Sequence, residues 1–259
     1  MTDGLRLGRI SYANMAPVFY ELDLPGLEQI TGVPTALNRM LLAGEVDVAP
    51  ISSIEYARNA GRLRLLPRLC VSTEGAVDSI QLITRRPLEQ VRSVAVTPES
   101  ATSVVLTRVL LGEVELVPLD QPADARMLIG DAALRSAFED PTPHYDLGRL
   151  WRERTGLPMV YAVWACRAGV DDGLEELERA HLRSLAVSRS EPEALARRAS
   201  EQYGWPPGFL ARYFEKLRYH FGPRERQGLR RFFELAHLAG ELDEVPGLRF
   251  VGGERVAGI

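Results

Sequence analysis

The sequence predicts an α/β fold of two lobes, mixed sheets flanked by helices, with a ligand cleft between the lobes. Three observations carry that expectation. Short apolar runs alternate with helical patterns along the first two thirds of the chain. Hydroxyl and amide residues cluster where strands hand over to helices, the place where open α/β sheets bind ligands. The chain also changes unit near Arg85-Arg86-Pro87, and a long β-rich run, Met159 to Cys166, can carry it back.

Leu5 to Ile10 reads as a short buried strand, and Ser11-Tyr12-Ala13-Asn14-Met15-Ala16-Pro17 follows as a strand–loop–helix junction with Pro near the first helical position. Pro34 to Ala43 has helical composition and ends at a C-cap glycine, Gly44. Val46 to Ile51 is a brief strand, and Ser52-Ser53 opens the next helix. Leu63 to Val71 and Ala76 to Thr84 read as two more strands. In the second unit, Arg92 to Val96 is a strand, Thr97 to Ser103 its loop and Val104 to Leu111 a helix. Glu113 to Val117 and Ala125 to Ile129 are strands, the latter followed by the loop Gly130-Asp131-Ala132-Ala133. From Gly173 onward the pattern is helical, with Leu229, Phe232, Phe233 and Ala236 forming a one-sided apolar stripe. The expected division is lobe one at 1–84 plus 167–259 and lobe two at 85–166.

With 259 residues, 46% hydrophobic and 25% charged, the composition is that of an ordinary globular protein with a substantial core. A net charge of -4 argues against a general nucleic-acid binder. The local cluster Arg224, Arg226, Arg230 and Arg231 reads as a solvated helix face. The longest apolar run, Met159 to Cys166, is too short to span a membrane. Met1-Thr2-Asp3-Gly4 shows no charged n-region followed by an apolar h-region, so a cytoplasmic protein is expected. Cys70 and Cys166 are isolated and read as buried small hydrophobes.

Nucleotide-binding glycine loops and the nucleophile elbow are missing from the sequence. The four histidines are scattered without metal-ligand spacing, so neither cofactor nor metal is expected. What the chain offers is small polar residues at helix starts: Ser11 and Asn14, Ser52 and Ser53, then Ser100, Thr102 and Ser103. Each taken singly is best read as an N-cap. Taken together they suggest a carboxylate-binding cleft, because helix N-termini hold anions through free N–H groups. Ser79 lies on a presumed crossover strand, where it can face that cleft. Glu55 and Asp131 are the carboxylates nearest the loops. Trp151, Tyr161 and Trp164 read as core or lobe-packing residues.

Gly8-Arg9-Ile10-Ser11-Tyr12-Ala13-Asn14-Met15-Ala16-Pro17-Val18 resembles the opening motif of the chorismate dehydratases of futalosine-route menaquinone biosynthesis, with Ala13 where Leu is usual. The resemblance continues through Gly44 to Tyr56, Val77 to Leu82, Thr97 to Ser103, Ile129 to Leu134, Tyr145 to Trp151 and Thr155 to Trp164. It implies a periplasmic-binding-protein-like type II fold used as an enzyme. That enzyme would turn chorismate into 3-[(1-carboxyvinyl)oxy]benzoate and water. Asn14 and Ser79 are then the candidate catalytic residues, and Ser11, Ser52, Ser53, Ser100, Thr102, Ser103, Asp131 and Ala132 the candidate substrate-binding ones. The substrate's own enolpyruvyl carboxylate can take the C3 proton, and Glu55 is the competing protein base. Two other readings stand beside this one: a non-catalytic small-carboxylate-binding protein, and the sister 1,4-dihydroxy-6-naphthoate synthase, whose opening Ser-Pro-Cys-Pro-Asn-Asp motif is missing here. The expected partner is chorismate alone, without nucleic acid or membrane. The oligomeric state, a homodimer included, stays open.

Overall fold

A computed structural model describes residues 4–253. Strand β1 (Arg6–Ile10) leads through a 3-10 turn at Ala13–Met15 into helix α1 (Ala16–Phe19). Next come β2 (Glu28–Gly32), α2 (Pro34–Ala43), β3 (Val48–Ser52), α3 (Ser53–Arg58) and the long β4 (Leu63–Thr73). The middle of the chain runs β5 (Ile80–Ile83), β6 (Ser93–Val96), α4 (Ala101–Leu111), β7 (Glu115–Pro118), β8 (Ala125–Ile129), α5 (Gly130–Glu139), β9 (His144–Asp146) and α6 (Leu147–Thr155). Strand β10 (Met159–Arg167) is followed by α7 (Leu174–Ser190), α8 (Pro192–Tyr203), α9 (Pro207–Lys216), β11 (Leu217–His220) and α10 (Pro223–Leu238). Four of these helices, α2, α8, α9 and α10, begin on a proline, whose fixed φ and missing N–H suit a first turn. Helix α2 ends as its sequence predicts, on Gly44 in the left-handed conformation (φ 83°).

The strands form two sheets. One has six strands in the order β11-β4-β10-β3-β1-β2, the other five in the order β7-β6-β8-β5-β9. Both are mixed: β1 runs parallel to β2 and β3, while β10 runs antiparallel to β3 and β4. In the second sheet β6 is parallel to β7 and β8, and β5 is antiparallel to β8 and β9. Strand β3 is buried along its whole length, and β10 is buried at every position but its last. Strands covered on both faces read as continuous apolar runs, and Met159 to Cys166 is such a run.

The sheets cut the chain differently from the expected boundaries at 84/85 and 166/167. Ile80–Ile83 pairs with β8 and β9 and so belongs to the five-stranded sheet. All of β10 belongs to the six-stranded sheet, because pairing with β4 begins at its first residue, Met159, opposite Thr73. Two short crossovers, 74–79 and 156–158, therefore join the two units. Asp146 ties the first crossover to β9, since its carboxylate accepts from the Val77 and Asp78 main-chain N–H groups at 3.0 and 2.7 Å.

Three further differences concern local elements. The segment 130–133 is the first turn of α5 rather than a loop. Helix α4 starts at Ala101, three residues before the expected Val104. The C-terminal helical stretch is interrupted by β11, which pairs with the edge of β4.

The apolar stripe of α10 meets its expectation: Leu229, Phe232, Phe233 and Ala236 are fully buried. Phe232 meets the Trp151 ring edge-on and Phe233 stacks on Tyr56, so α10 packs against both α6 and α3. Cys70 and Cys166 are free and buried, as isolated cysteines should be. In the arginine cluster, Arg224 and Arg231 pair with Glu74 and Glu234, but Arg226 differs from a solvated cation. It is half-buried over the Phe221 and Phe250 rings and donates to the Pro67 carbonyl.

His181 on α7 is fully buried between the edges of the Phe19 and Trp164 rings. Neither of its ring nitrogens has a hydrogen-bond partner among the described residues. Burial pushes its pKa down from 6.5 to about 3. The unfolded chain then binds a proton below about pH 6.5 that the native state refuses, so this residue lowers stability as the pH falls toward 3. Between pH 7 and pH 5 the loss attributable to it is on the order of 2 kcal/mol. Chemical denaturation at both values should show His181→Leu losing less stability than the parent protein by about that amount. An equal loss in the two proteins would mean that His181 accepts its proton in place.

Candidate active site

The junctions after β1, β3 and β8, together with the N-terminal turn of α4 and the first crossover, converge on one cavity between the two sheets. Ile10, Val71, Val77, Ile80, Ile129 and Leu217 give it apolar walls. Its polar groups are the Asn14 amide, the hydroxyls of Ser52, Ser79, Ser100 and Ser103, and the phenols of Tyr12 and Tyr161. Among the described residues that line it, none carries a carboxylate, imidazole, amine or guanidinium. Apolar walls with a few fixed polar groups suit a small ring compound. The free space is about 60 Å³, far below the roughly 300–1,000 Å³ typical of small-ligand pockets. The space between the two units in this structure is thus smaller than such a ligand needs.

Four of the lining polar residues show how the local fold leaves groups available. Ser52 is the N-cap of α3, yet its side chain makes no cap bond, and its buried hydroxyl has no partner among the described residues. The Ser52 main-chain N–H is fixed instead by the Asn38 side chain, at 3.1 Å. Asn14 sits in the 3-10 turn, where neither the turn nor α1 has a side-chain cap, and its buried Oδ1 has no partner among the described residues. Ser100 does act as a cap: its hydroxyl accepts from the Ser103 N–H at 3.3 Å and lies 2.9 Å from the Ser103 hydroxyl. Ser79 is buried on the crossover beside the Tyr213 hydroxyl, and its carbonyl accepts from the Gly130 N–H at 2.8 Å.

The remaining expected residues lie elsewhere. Ser53 and Thr102 are buried between the two units and bond to each other at 3.2 Å. Ser53 also donates to the Val160 carbonyl, and Thr102 accepts from the Ile54 N–H, so these hydroxyls join α3, α4 and β10 rather than face the cavity. Ser11 is outside the lining, its N–H bonded to the Gly32 carbonyl. Ala132 is exposed on α5, outside the cavity. Asp131 follows the lining residue Gly130, and its carboxylate accepts the Ala13 N–H. Burial pushes that carboxyl above the usual carboxylate range. Glu55 is also outside the cavity and pairs with Arg58 at 2.8 Å, which in turn pairs with Glu241. The candidate protein base is thus held in a salt-bridge chain away from the lining.

Among the lining residues not expected at the site, three bear most on its geometry. Tyr12 bridges the units: its hydroxyl donates to Glu99 Oε2 at 2.7 Å, and its ring lies so close to Gly130 that a Cβ there would sit 3.1 Å from ring atoms. Burial and the Glu99 carboxylate raise its pKa, which keeps the phenol protonated as a donor. Tyr161 is buried on β10 with its hydroxyl 3.0 Å from Thr73 Oγ1. Leu217 enters on β11. Tyr12 stood inside the strongest motif, but Tyr161 lies in a continuously buried strand without alternation, and the four-residue strand of Leu217 is too short to stand out between two helices.

A family model described as menaquinone biosynthesis matches residues 5–238. The chorismate dehydratase of Thermus thermophilus is 37% identical over 261 aligned positions, covering 90% of this chain and 95% of that protein. A Campylobacter jejuni protein of the same name is 34% identical over 167 positions, 61% of this chain and 66% of that protein. A crystal structure from Archaeoglobus fulgidus superposes with a TM-score of 0.77 at 21% identity, covering 91% of this chain and 97% of that one. The periplasmic aliphatic sulphonate binding protein of Escherichia coli superposes at 0.68 and 14% identity, covering 98% and 94%. At such identities these two likenesses give the fold, two sheets closing on a cleft as in the periplasmic binding proteins. On the family match and the Thermus thermophilus relative, the chain belongs to the menaquinone-biosynthesis family that includes the chorismate dehydratases.

Proposed function

We propose that the protein dehydrates chorismate to 3-[(1-carboxyvinyl)oxy]benzoate and water, as the names of its relatives suggest. The observation that carries the mechanism is the cavity's lining of amide, hydroxyl and apolar groups with no carboxylate or imidazole among the described residues. Such a site offers hydrogen-bond donors and acceptors but no strong base. The base is then the substrate's own enolpyruvyl carboxylate, which lies close to the C3 proton. Breaking the C3–H bond leaves negative charge conjugated with the ring carboxylate. The C3–C4 double bond forms as the C4 hydroxyl departs, the proton from C3 completes the water, and the ring becomes aromatic. Donors fixed at the ring carboxylate are stronger partners as charge grows there, which is how they accelerate the step.

In this reading Asn14 and Ser79 orient the reacting ring. Ser100 and Ser103 offer hydroxyls, and the first turn of α4 offers main-chain N–H groups for a carboxylate. Ser52 supplies a free hydroxyl from the opposite side. Glu55 has no part in it.

Incubating the pure protein with chorismate in the presence of a chelator, followed by chromatography, tests the proposal. The expected product is the enolpyruvyl benzoate, formed without added metal or nucleotide. Chorismate recovered intact, with the protein stabilised against heat, would make this a binding protein instead.

A further inference from the structure

We propose that Tyr219 is a positioning residue for the reaction, holding the main chain of Asn14 so that the Asn14 amide stays at the cavity. The Tyr219 hydroxyl donates to the Asn14 main-chain carbonyl across a sequence separation of 205 residues. Tyr219 is buried, and burial raises its pKa, so the phenol remains a donor at all ordinary pH values. Ala13 and Met15 anchor the turn in the core, while the Tyr219 bond is made to the Asn14 carbonyl itself. The turn's side chains make no cap bond, and its other hydrogen bonds among the described residues include the Met15 N–H on the Tyr12 carbonyl, the Ala16 N–H on the Ala13 carbonyl and the Ala13 N–H on Asp131. The Asn14 side-chain oxygen is meanwhile buried and unpartnered among the described residues, so its direction depends on where the main chain is held.

Strand β11 delivers this contact. Its burial alternates, with Leu217 and Tyr219 buried and Arg218 and His220 exposed, so the first two share a face. Leu217 lines the cavity, while Tyr219 reaches the turn behind Asn14. The strand is set by pairing Leu217 with Thr73, whose hydroxyl bonds Tyr161, another lining residue. The C-terminal segment thereby takes part in the site although its described residues add no polar group to the cavity wall.

The inference rests on Asn14 contacting the substrate, and the experiment separates the two ideas. Tyr219→Phe removes a single oxygen. Tyr56→Phe is the control, because its buried hydroxyl also bonds main chain, at the Gly247 carbonyl and the Arg249 N–H, away from the cavity lining. The two variants should lose similar thermal stability. Only Tyr219→Phe should lose kcat, by about tenfold or more, with KM changed less than about threefold, because small misplacements at a reacting centre are costly. The double variant Asn14→Ala with Tyr219→Phe should be no slower than Asn14→Ala alone, since groups acting as a unit are non-additive. A multiplicative double variant, or a Tyr219→Phe kcat within twofold of the parent, overturns the positioning role and leaves Asn14 in the site. Normal turnover by Asn14→Ala instead overturns the site assignment, and the positioning role with it.

Discussion

Asn14→Ala is expected to lower kcat by on the order of a hundredfold or more, the scale seen when one transition-state donor is removed, while folding is almost unaffected. The competing idea is that Asn14 only caps the following helix, in which case the variant would lose about 1 kcal/mol of stability and keep its activity. The geometry favours the first outcome. Neither the turn at Ala13–Met15 nor α1 takes a cap bond from a side chain. The Asn14 oxygen is buried without a partner among the described residues, so truncating the side chain breaks no bond of the folded state that involves this atom. An amide that both donates and accepts can grip a carboxylate or a hydroxyl of the substrate. Glu55→Gln is the paired measurement. Because Glu55 is ion-paired with Arg58 outside the cavity, its loss should change kcat by no more than about threefold, the modest scale of an exposed-pair deletion away from the chemistry. Rates and melting temperatures of both variants decide between the outcomes. Near-normal turnover by Asn14→Ala would remove the orienting group from the mechanism, and a crippled Glu55→Gln would restore a protein base.

The contrast between neighbouring residues explains how far the sequence could be read. Junctions between strands and helices were visible, and Asn14, Ser52, Ser79, Ser100 and Ser103 all prove to line one cavity. Within each junction the sequence could not say which way a side chain turns. Ser52 faces the cavity while Ser53, one residue on, points between the units to Thr102 and Val160. Thr102 and Ser103 divide in the same way. One residue in the first helical turn rotates a side chain by about 100°, enough to exchange ligand for packing. The lobe boundaries slipped for a related reason. Strand β10 is buried on both faces, so its apolar run carries no sign of which sheet it joins. Strand β5 is only four residues long and shows no alternation, its burial being complete. Strand β11 hides between helices, and with it went the signal for Leu217 and Tyr219.

Gly148→Ala should damage stability and turnover together, because the methyl group it adds has nowhere to go. Gly148 is the second residue of α6, where the helix passes under the first crossover. A Cβ at that position would lie 2.4 Å from the Gly75 carbonyl oxygen, 2.5 Å from the Tyr161 hydroxyl and 3.1 Å from Thr73 Oγ1. These neighbours cannot simply swing aside. Gly75 presents main chain, and the Tyr161 and Thr73 hydroxyls bond each other within the buried face of β10 and β4. Overpacking of this kind costs typically about 1–3 kcal/mol, which for a domain of this size lowers the melting temperature by roughly 2–10 °C. The functional consequence follows from what must move. Tyr161 lines the cavity, and the crossover that begins beside Gly75 carries Ser79 four residues later. A shift of the crossover also alters how the two units meet, so kcat/KM should fall by about tenfold or more even at temperatures where the variant is fully folded. Gly61→Ala is the matched control, since a Cβ there meets nothing within 4 Å and its backbone is outside the left-handed region. Melting curves and rates at 25 °C for the two variants test the argument. If Gly148→Ala matches Gly61→Ala in both, α6 can yield at no cost and the crossover is not held by this contact. A Gly148→Ala protein that is destabilised but keeps its full rate would show instead that the strain relaxes into α6, away from Tyr161 and Ser79.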